Sequence, residues 1–332
     1  MDSTPHSVSF AASSRAVALL KRLWQASPPL TTVGLLMFFT AVPSLIGIFF
    51  DPRIITGAPA WLKPFKFAIS TAIYSLTLAW IFQCLSDWPR VRRFVGWTTA
   101  IVFVLEVSII DVQAWRGTTS HFNVSTPLNA VLFFIMGAAI LLQTFVSVAV
   151  VVALWRQKFT DQPLAWALRL GMALTILGAL TGPLMTHPTK AQLAAARSSG
   201  HMAVAGAHTV GAPDCGPGIP VTGWSREHGD VRVPHFLGLH AIQVLALTAL
   251  ALRRWRRPEA VRVKAVLAAT VSYAALFFLL LWQALHGQSL VAPDRLALVS
   301  IATWAVATAL VIGWIGRRPR RLARDAWDGM AI

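Results

Sequence analysis

Uninterrupted apolar runs dominate the chain, and polar residues gather in the stretches between them. Runs of about 20 residues, enough for a helix to cross the hydrocarbon of a bilayer, recur along its length. They cover Thr31–Phe50, Phe65–Cys84, Phe94–Gln113, Pro127–Leu154, Leu164–Met185, Pro234–Leu252, Ala265–His286 and Arg295–Gly316. Each is continuously apolar rather than alternating, which argues against barrel strands. A backbone in lipid must satisfy its own N–H and C=O groups, so helices are expected. The pattern predicts an all-α fold, an integral membrane bundle of about eight transmembrane helices.

Three regions follow. Residues 1–26 form an arm, expected to be loose up to Ser14 and then interfacial, with Val17, Leu19, Leu20, Leu23 and Trp24 beside Lys21 and Arg22. Residues 27–316 form the transmembrane domain, and 317–332 a basic tail. One long connection, 187–233, is rich in Gly and Pro, with a short helix expected at Gln192–Arg197. A loop of that length is usually functional or disordered.

Composition agrees: 56% of residues are hydrophobic, 13% are charged, and the mean hydropathy is +0.61. A water-soluble domain carries about 25% charged residues. The formal charge of +16 raises the question of nucleic acid, but the placement of the bases answers it. Arg15, Lys21, Arg22, Arg90, Arg92, Arg93, Arg156, Lys158, Arg169, the cluster from Arg253 to Lys264, and Arg317, Arg318, Arg320, Arg321 and Arg324 fall on one side. Only Arg53, Lys63, Lys66, Arg116, Lys190, Arg197, Arg226, Arg232 and Arg295 fall on the other. The positive-inside rule then puts both termini in the cytoplasm. The cytoplasmic bases would hold anionic lipid heads, so the bilayer replaces nucleic acid as the expected partner. Trp24, Trp88, Trp97, Trp155, Trp166, Trp255 and Trp314 mark the inner interface, and Trp61, Trp115 and Trp282 the outer. Cys84 and Cys215 form no CxxC signature. The first apolar run lacks a nearby cleavage site and reads as a retained span.

The ionisable residues are one-sided too. Of nine histidines, only His6 falls on the cytoplasmic side. Glu106 lies about 10 Å and His240 about 9 Å inside the outer ends of their spans, at 1.5 Å per residue. Gln283 lies one turn inside His286. Ionisable groups within spans are functional candidates by default. Glu106 is expected to be either neutral or partnered, since desolvation disfavours a charged carboxylate, and His240 or Arg116 could supply the partner. The competing reading is a buried hydrogen bond that fixes helix packing. His235 and His240 point about 140° apart on a straight helix, so they are poor joint ligands. Arg116, His121 and Asn123 are placed over the mouth of the Glu106 site. Asn123-Val124-Ser125 also matches a glycosylation sequon.

S-H-F-N at Ser120–Asn123 and P-H-F-L-G-L-H-A-I-Q at Pro234–Gln243 resemble stretches in a family of bacterial multi-pass membrane proteins with no assigned activity. The resemblance implies a bacterial cytoplasmic (inner) membrane and transfers no catalytic roles.

Three functional readings stay open. One is a membrane oxidoreductase, with haem held by His240 and His286 or a divalent metal held among His121, His235, His240 and Glu106. Another is a proton-coupled transporter that uses Glu106. In its favour, Pro64 and Pro234 open the second and sixth spans alike, as in a duplicated transporter. The last is a noncatalytic sensor or assembly protein that uses the long loop. Glu106, Asp111, Arg116, Glu227 and Asp230 are the candidate groups for any chemistry.

Overall fold

The computed structural model describes residues 6–317, with side chains from Arg15 onward. The tail from Arg318, including Arg320, Arg321 and Arg324, lies outside the described residues. The helices are α1 (His6–Ala26), α2 (Pro28–Phe50), α3 (Leu62–Phe82), α4 (Pro89–Trp115), α5 (Pro127–Arg156), α6 (Gln162–Ala179), α7 (Gly182–Met185), α8 (Lys190–Ser199), α9 (Arg232–Leu239), α10 (Ala241–Leu252), α11 (Glu259–Leu285) and α12 (Arg295–Gly316). Two antiparallel pairs of two-residue strands accompany them: β1 (Ile54–Ile55) with β2 (Ala58–Pro59), and β3 (Thr209–Val210) with β4 (Gly229–Asp230). Among the described residues, seven helices are long and apolar enough to cross a membrane, or eight if α9 and α10 are one span bent by 44°. That is the make-up of a multi-pass membrane protein.

Local chemistry sets many of the ends. Proline opens α2, α4, α5 and α6, where its missing N–H has no helical partner to lose. Thr126, Asp161 and Asp294 cap α5, α6 and α12 by accepting from the N–H groups of Asn129, Leu164 and Ala297. The arm departs from expectation, because α1 is helical from His6 rather than loose up to Ser14. The fifth apolar run is not one helix either: it unwinds after Ala179 and resumes as the single turn α7. The short helix in the long connection, α8, is longer than expected, and a reciprocal capping box of Thr189 and Gln192 fixes its start.

The sixth apolar run breaks at His240, and its neighbours account for the break. The Tyr273 hydroxyl of α11 donates to Leu237 O at 2.6 Å. The Thr175 hydroxyl of α6 accepts from Ile242 N at 3.2 Å. Both take up groups that a continuous helix would pair internally, and insertion of side chains into that ladder bends a helix. Gly178 of α6 and Gly238 of α9 meet so closely that a Cβ on either would overlap the other.

α2, α3 and α4 pack on one another, α5 links α4 to α6, and α6 packs against α9, α10 and α11. α12 packs mainly on α11, through a Ser272–Thr308 hydroxyl pair at 2.7 Å and Trp304 Nε1 on Ser272 O. Ala297 is its one buried residue. The connections at 51–61, 116–126, 187–233 and 287–294 are tied together at one end of the helices, the loop end. Arg53 bonds Trp115 O, Asn123 pairs with Val204, and Ser289 bonds Arg226 O.

Candidate functional site

The long connection is a folded lid. Gln192 of α8 bonds Gly206 O, β3 pairs with β4, and Lys66 of α3 donates to Thr222 O at 2.7 Å. Asp230, only 3% exposed, closes the last turn before α9. It accepts from Ser225 N and from the backbone and guanidinium of Arg232, which also reaches Gly223 O. A bidentate Arg–carboxylate pair is strong and geometrically specific. Asp230, a sequence candidate for chemistry, is therefore fully engaged in holding the lid.

Beneath the lid, three ionisable side chains form a line. Lys63 Nζ lies 3.0 Å from His121 Nδ1, and His121 Nε2 lies 3.6 Å from Glu106 Oε1. Lys63 comes from the first turn of α3, His121 from the 116–126 connection, and Glu106 from α4. The Ser120 hydroxyl adds a second contact to Nδ1 at 3.1 Å. Lysine only donates, so Nδ1 of a neutral His121 accepts and the ring proton sits on Nε2, facing Glu106. At 3.6 Å that last contact is longer than a hydrogen bond, and a sub-ångström shift would close it. Glu106 is 4% exposed, and its Oε2 has no hydrogen-bond partner among the described residues. Burial, then the charge of Lys63, pushes the His121 pKa well below its ordinary value.

The backbone aims His121. Phe122 has φ +60, a left-handed conformation uncommon for a side-chain-bearing residue. Its ring is clamped edge-on to His121 and Phe133 and lies 4.8 Å from the His208 ring. Such conformations persist where packing over-determines them, and they cluster at functional sites. His208 Nδ1 contacts Asp214 Oδ2 at 2.6 Å, and Asp214 also accepts from the N–H groups of His208 and Thr209. Burial lowers the His208 pKa, and the Asp214 hydrogen bond opposes it without overcoming it. Burial alone would raise the Asp214 pKa, but these hydrogen bonds outweigh it and hold the carboxyl well below its usual range. Lys63 is within electrostatic reach of Glu106, Arg232, Lys66 and Asp214, and His121 of His208 and His235. Lys63, Lys66 and Arg232 thus share the cluster with Glu106, Asp214 and Asp230 around the two imidazoles.

Other expectations are redrawn. His240 does not partner Glu106. α4 packs on α2, α3 and α5, whereas the bend at His240 packs on α6 and α11. The His240 ring lies 4.3 Å from that of Phe236, and its Nε2 is unpartnered. Arg116 does not partner Glu106 either, since its Nη1 bonds Gln113 Oε1 and Asn129 Oδ1. His286 is exposed at the end of α11, against Trp282. Tyr273, which touches Leu237 one turn before His240, lies thirteen residues from His286, about 20 Å along α11. The two imidazoles therefore do not face each other as axial haem ligands would. His235 Nδ1 contacts Thr181 Oγ1 and Gly178 O, so it ties α9 to α6. Among the described residues, no three His, Cys, Asp or Glu side chains group as metal ligands. Asp111 is partly buried with Oδ1 unpartnered, and Glu227 is exposed. The sequon asparagine, Asn123, is buried and donates to Thr118 Oγ1 and Thr119 O.

Sequence reasoning passed over Lys63, Lys66, His208 and Asp214 as site residues. Lys63 and Lys66 did leave a signal. They are two bases three residues apart at the mouth of an apolar helix, on the side otherwise poor in bases. His208 and Asp214 left none, since their pairing depends on the fold of the lid.

No family model, curated protein or solved structure matches the chain.

Proposed function

We propose that this chain is a proton-coupled transporter of a bacterial cytoplasmic membrane, with Glu106 as its proton-carrying carboxylate. In this reading the helices form a bundle with both termini in the cytoplasm, where the arginine-rich connections meet anionic lipid heads. The lid then faces outside. The observation that carries the reading is the line Lys63–His121–Glu106, which ends on a buried carboxylate oxygen with no hydrogen-bond partner among the described residues.

The chemistry follows from the tautomer. A proton passes from Lys63 Nζ to His121 Nδ1, so one N–H bond breaks and one forms. The proton on Nε2 moves to Glu106 Oε1, and Lys63 is reprotonated from the lid side. Intramembrane carboxylates and histidines serve such relays. The broken α9–α10 pair supports the same reading, because discontinuous helices carry the binding sites of many transporters. At its bend, His240 Nε2 and the side-chain amide of Gln243 have no hydrogen-bond partner among the described residues.

The test is solute-dependent proton entry into right-side-out vesicles, screened over amino acids, organic acids, sugars and metal ions. Proton entry with one solute class, abolished in Glu106→Gln, is the expected result. Coupled uptake that survives Glu106→Gln would sink the proposal.

A further inference from the structure

One buried face of α4 carries Arg92, Gly96, Thr99, Phe103 and Glu106, at steps of three and four residues. This spacing keeps them in a single stripe along the helix. Glu106 belongs to the loop-end site, while Arg92 lies near the opposite end, where its Nη2 donates to Ala26 O. Between them, α3 and α5 add polar side chains at matching depth. Ser75 and Thr99 are 0% exposed, and Gln143 and Ser147 are buried as well. Gln143 Nε2 contacts Ser147 Oγ at 3.4 Å, and the Tyr74 hydroxyl is within reach of both. The Tyr74 ring stands edge-on to Phe103, 5.4 Å away and one turn below Glu106. Lower on the stripe, Ser27 of the α1–α2 junction comes against Gly96 so closely that a Cβ at that position would press on its hydroxyl.

This polar layer is incompletely paired. Among the described residues, Ser75 Oγ, Thr99 Oγ1, Gln143 Oε1 and Arg92 Nε have no hydrogen-bond partner, and neither does Glu106 Oε2. A packing role alone would not leave polar atoms of the α4 stripe and of its α3 and α5 neighbours unpaired, because unpaired buried polar groups are costly. Internal water that bridges them would satisfy them and connect them.

Building on the reading of Glu106 above, we infer that the α4 face from Glu106 to Arg92, with Tyr74 and Ser75 of α3 and Gln143 and Ser147 of α5, is a hydrated path for protons. It joins the Glu106 site to the far membrane surface. At each step one O–H bond breaks and one forms on the next oxygen, so no electron moves and no co-reactant is needed. Gln143 holds water through its carbonyl, and the Tyr74, Ser75 and Thr99 hydroxyls exchange protons with it. Phe103 interrupts the stripe, and Tyr74 bypasses it.

The experiment uses the full chain in liposomes with a trapped pH-sensitive dye and a potassium–valinomycin potential, with the amino acids, organic acids, sugars and metal ions of the transport screen supplied outside in turn, so that coupled proton entry is the readout. Wild type should dissipate the gradient about tenfold faster than empty vesicles, and Ser75→Ala with Thr99→Val should remove about nine-tenths of that excess. Thr99→Ser should keep the wild-type rate, because it keeps the hydroxyl. Size-exclusion profiles report whether each variant is folded, and Thr99→Val alone serves if the pair is not. Wild-type flux in the hydroxyl-less variants overturns the path, as does wild-type protein no faster than empty vesicles. Retained flux in those variants with none in Glu106→Gln removes the path alone. Full flux in Glu106→Gln would remove the reading on which it rests.

Discussion

Glu106 and His240 lie at similar depths in their apolar runs, yet their surroundings are opposite. Glu106 faces an imidazole that is itself tied to a lysine, under a lid pinned by Lys66 and Asp230. His240 sits at a helix break, against one phenylalanine ring, with an unpaired nitrogen. The first centre is organised by charge, and the second by backbone geometry borrowed from Thr175 and Tyr273. Equal depth is therefore not proximity. Two helices place groups together only if they are neighbours and rotated to face one another.

The largest effect that sharpens this contrast is expected at Lys63. Lys63→Met removes the donor to His121 and the cation in reach of Glu106, and should lower stability by about 1.5–3 kcal/mol, the range for a hydrogen bond to a charged group. Thermal unfolding in detergent measures it, and adding Glu106→Gln should restore most of the loss. No rescue would mean that Lys63 and Glu106 are not coupled.

At the second centre the sensitive position is a glycine. Gly178→Val forces a side chain into the Gly238 backbone and should lower stability by about 1–3 kcal/mol through overpacking. The loss should survive changes in salt, unlike that of Lys63→Met. A salt-sensitive loss at Gly178 would blur the distinction.

Acid should loosen the lid before it touches the helix break. The folded-state pKa values of His121 and His208 are depressed from an ordinary 6.5. Their contribution to stability is therefore complete above about 6.5 and lost as pH falls below it toward the lowered values. Hydrogen exchange, corrected for intrinsic rates, should show less protection in 187–233 at pH 5.5 than at about 7.5, with α10 unchanged. Equal loss in both segments would contradict a lid-specific response.

The smallest expected effect is the most direct probe. Glu106→Gln and His240→Phe should be additive in stability within about 0.5 kcal/mol, as for separated sites. A larger coupling energy would put both groups back into one pocket.

The apolar runs foretold the spans because lipid imposes a length and a continuity that composition cannot disguise. The caps were legible for the same local reason: Thr126-Pro127 opens α5 as its residue types require. The His240 break was not legible, since P-H-F-L-G-L-H-A-I-Q reads as an unbroken helix with its proline near the start. The atoms that bend it belong to Thr175 and Tyr273, far away in the chain. The site was half legible. Glu106 and His121 stood out as ionisable groups near one end, but nothing in the sequence around His208 and Asp214 points to their pairing. Only the folding of the lid buries His208 and pairs it with Asp214.

By itself the sequence determined the number and position of the apolar runs, the uneven distribution of basic residues, and the end at which histidines and acids collect. These depend on local composition and on the transfer of side chains from water, which each segment carries within itself. Tertiary structure alone decided that Glu106 meets His121 rather than His240 or Arg116, that Asp230 holds the lid, and that α9 and α10 part at His240. Those outcomes depend on helix rotation, on the neighbours each helix selects, and on hydrogen bonds between residues distant in the chain. No single segment encodes them.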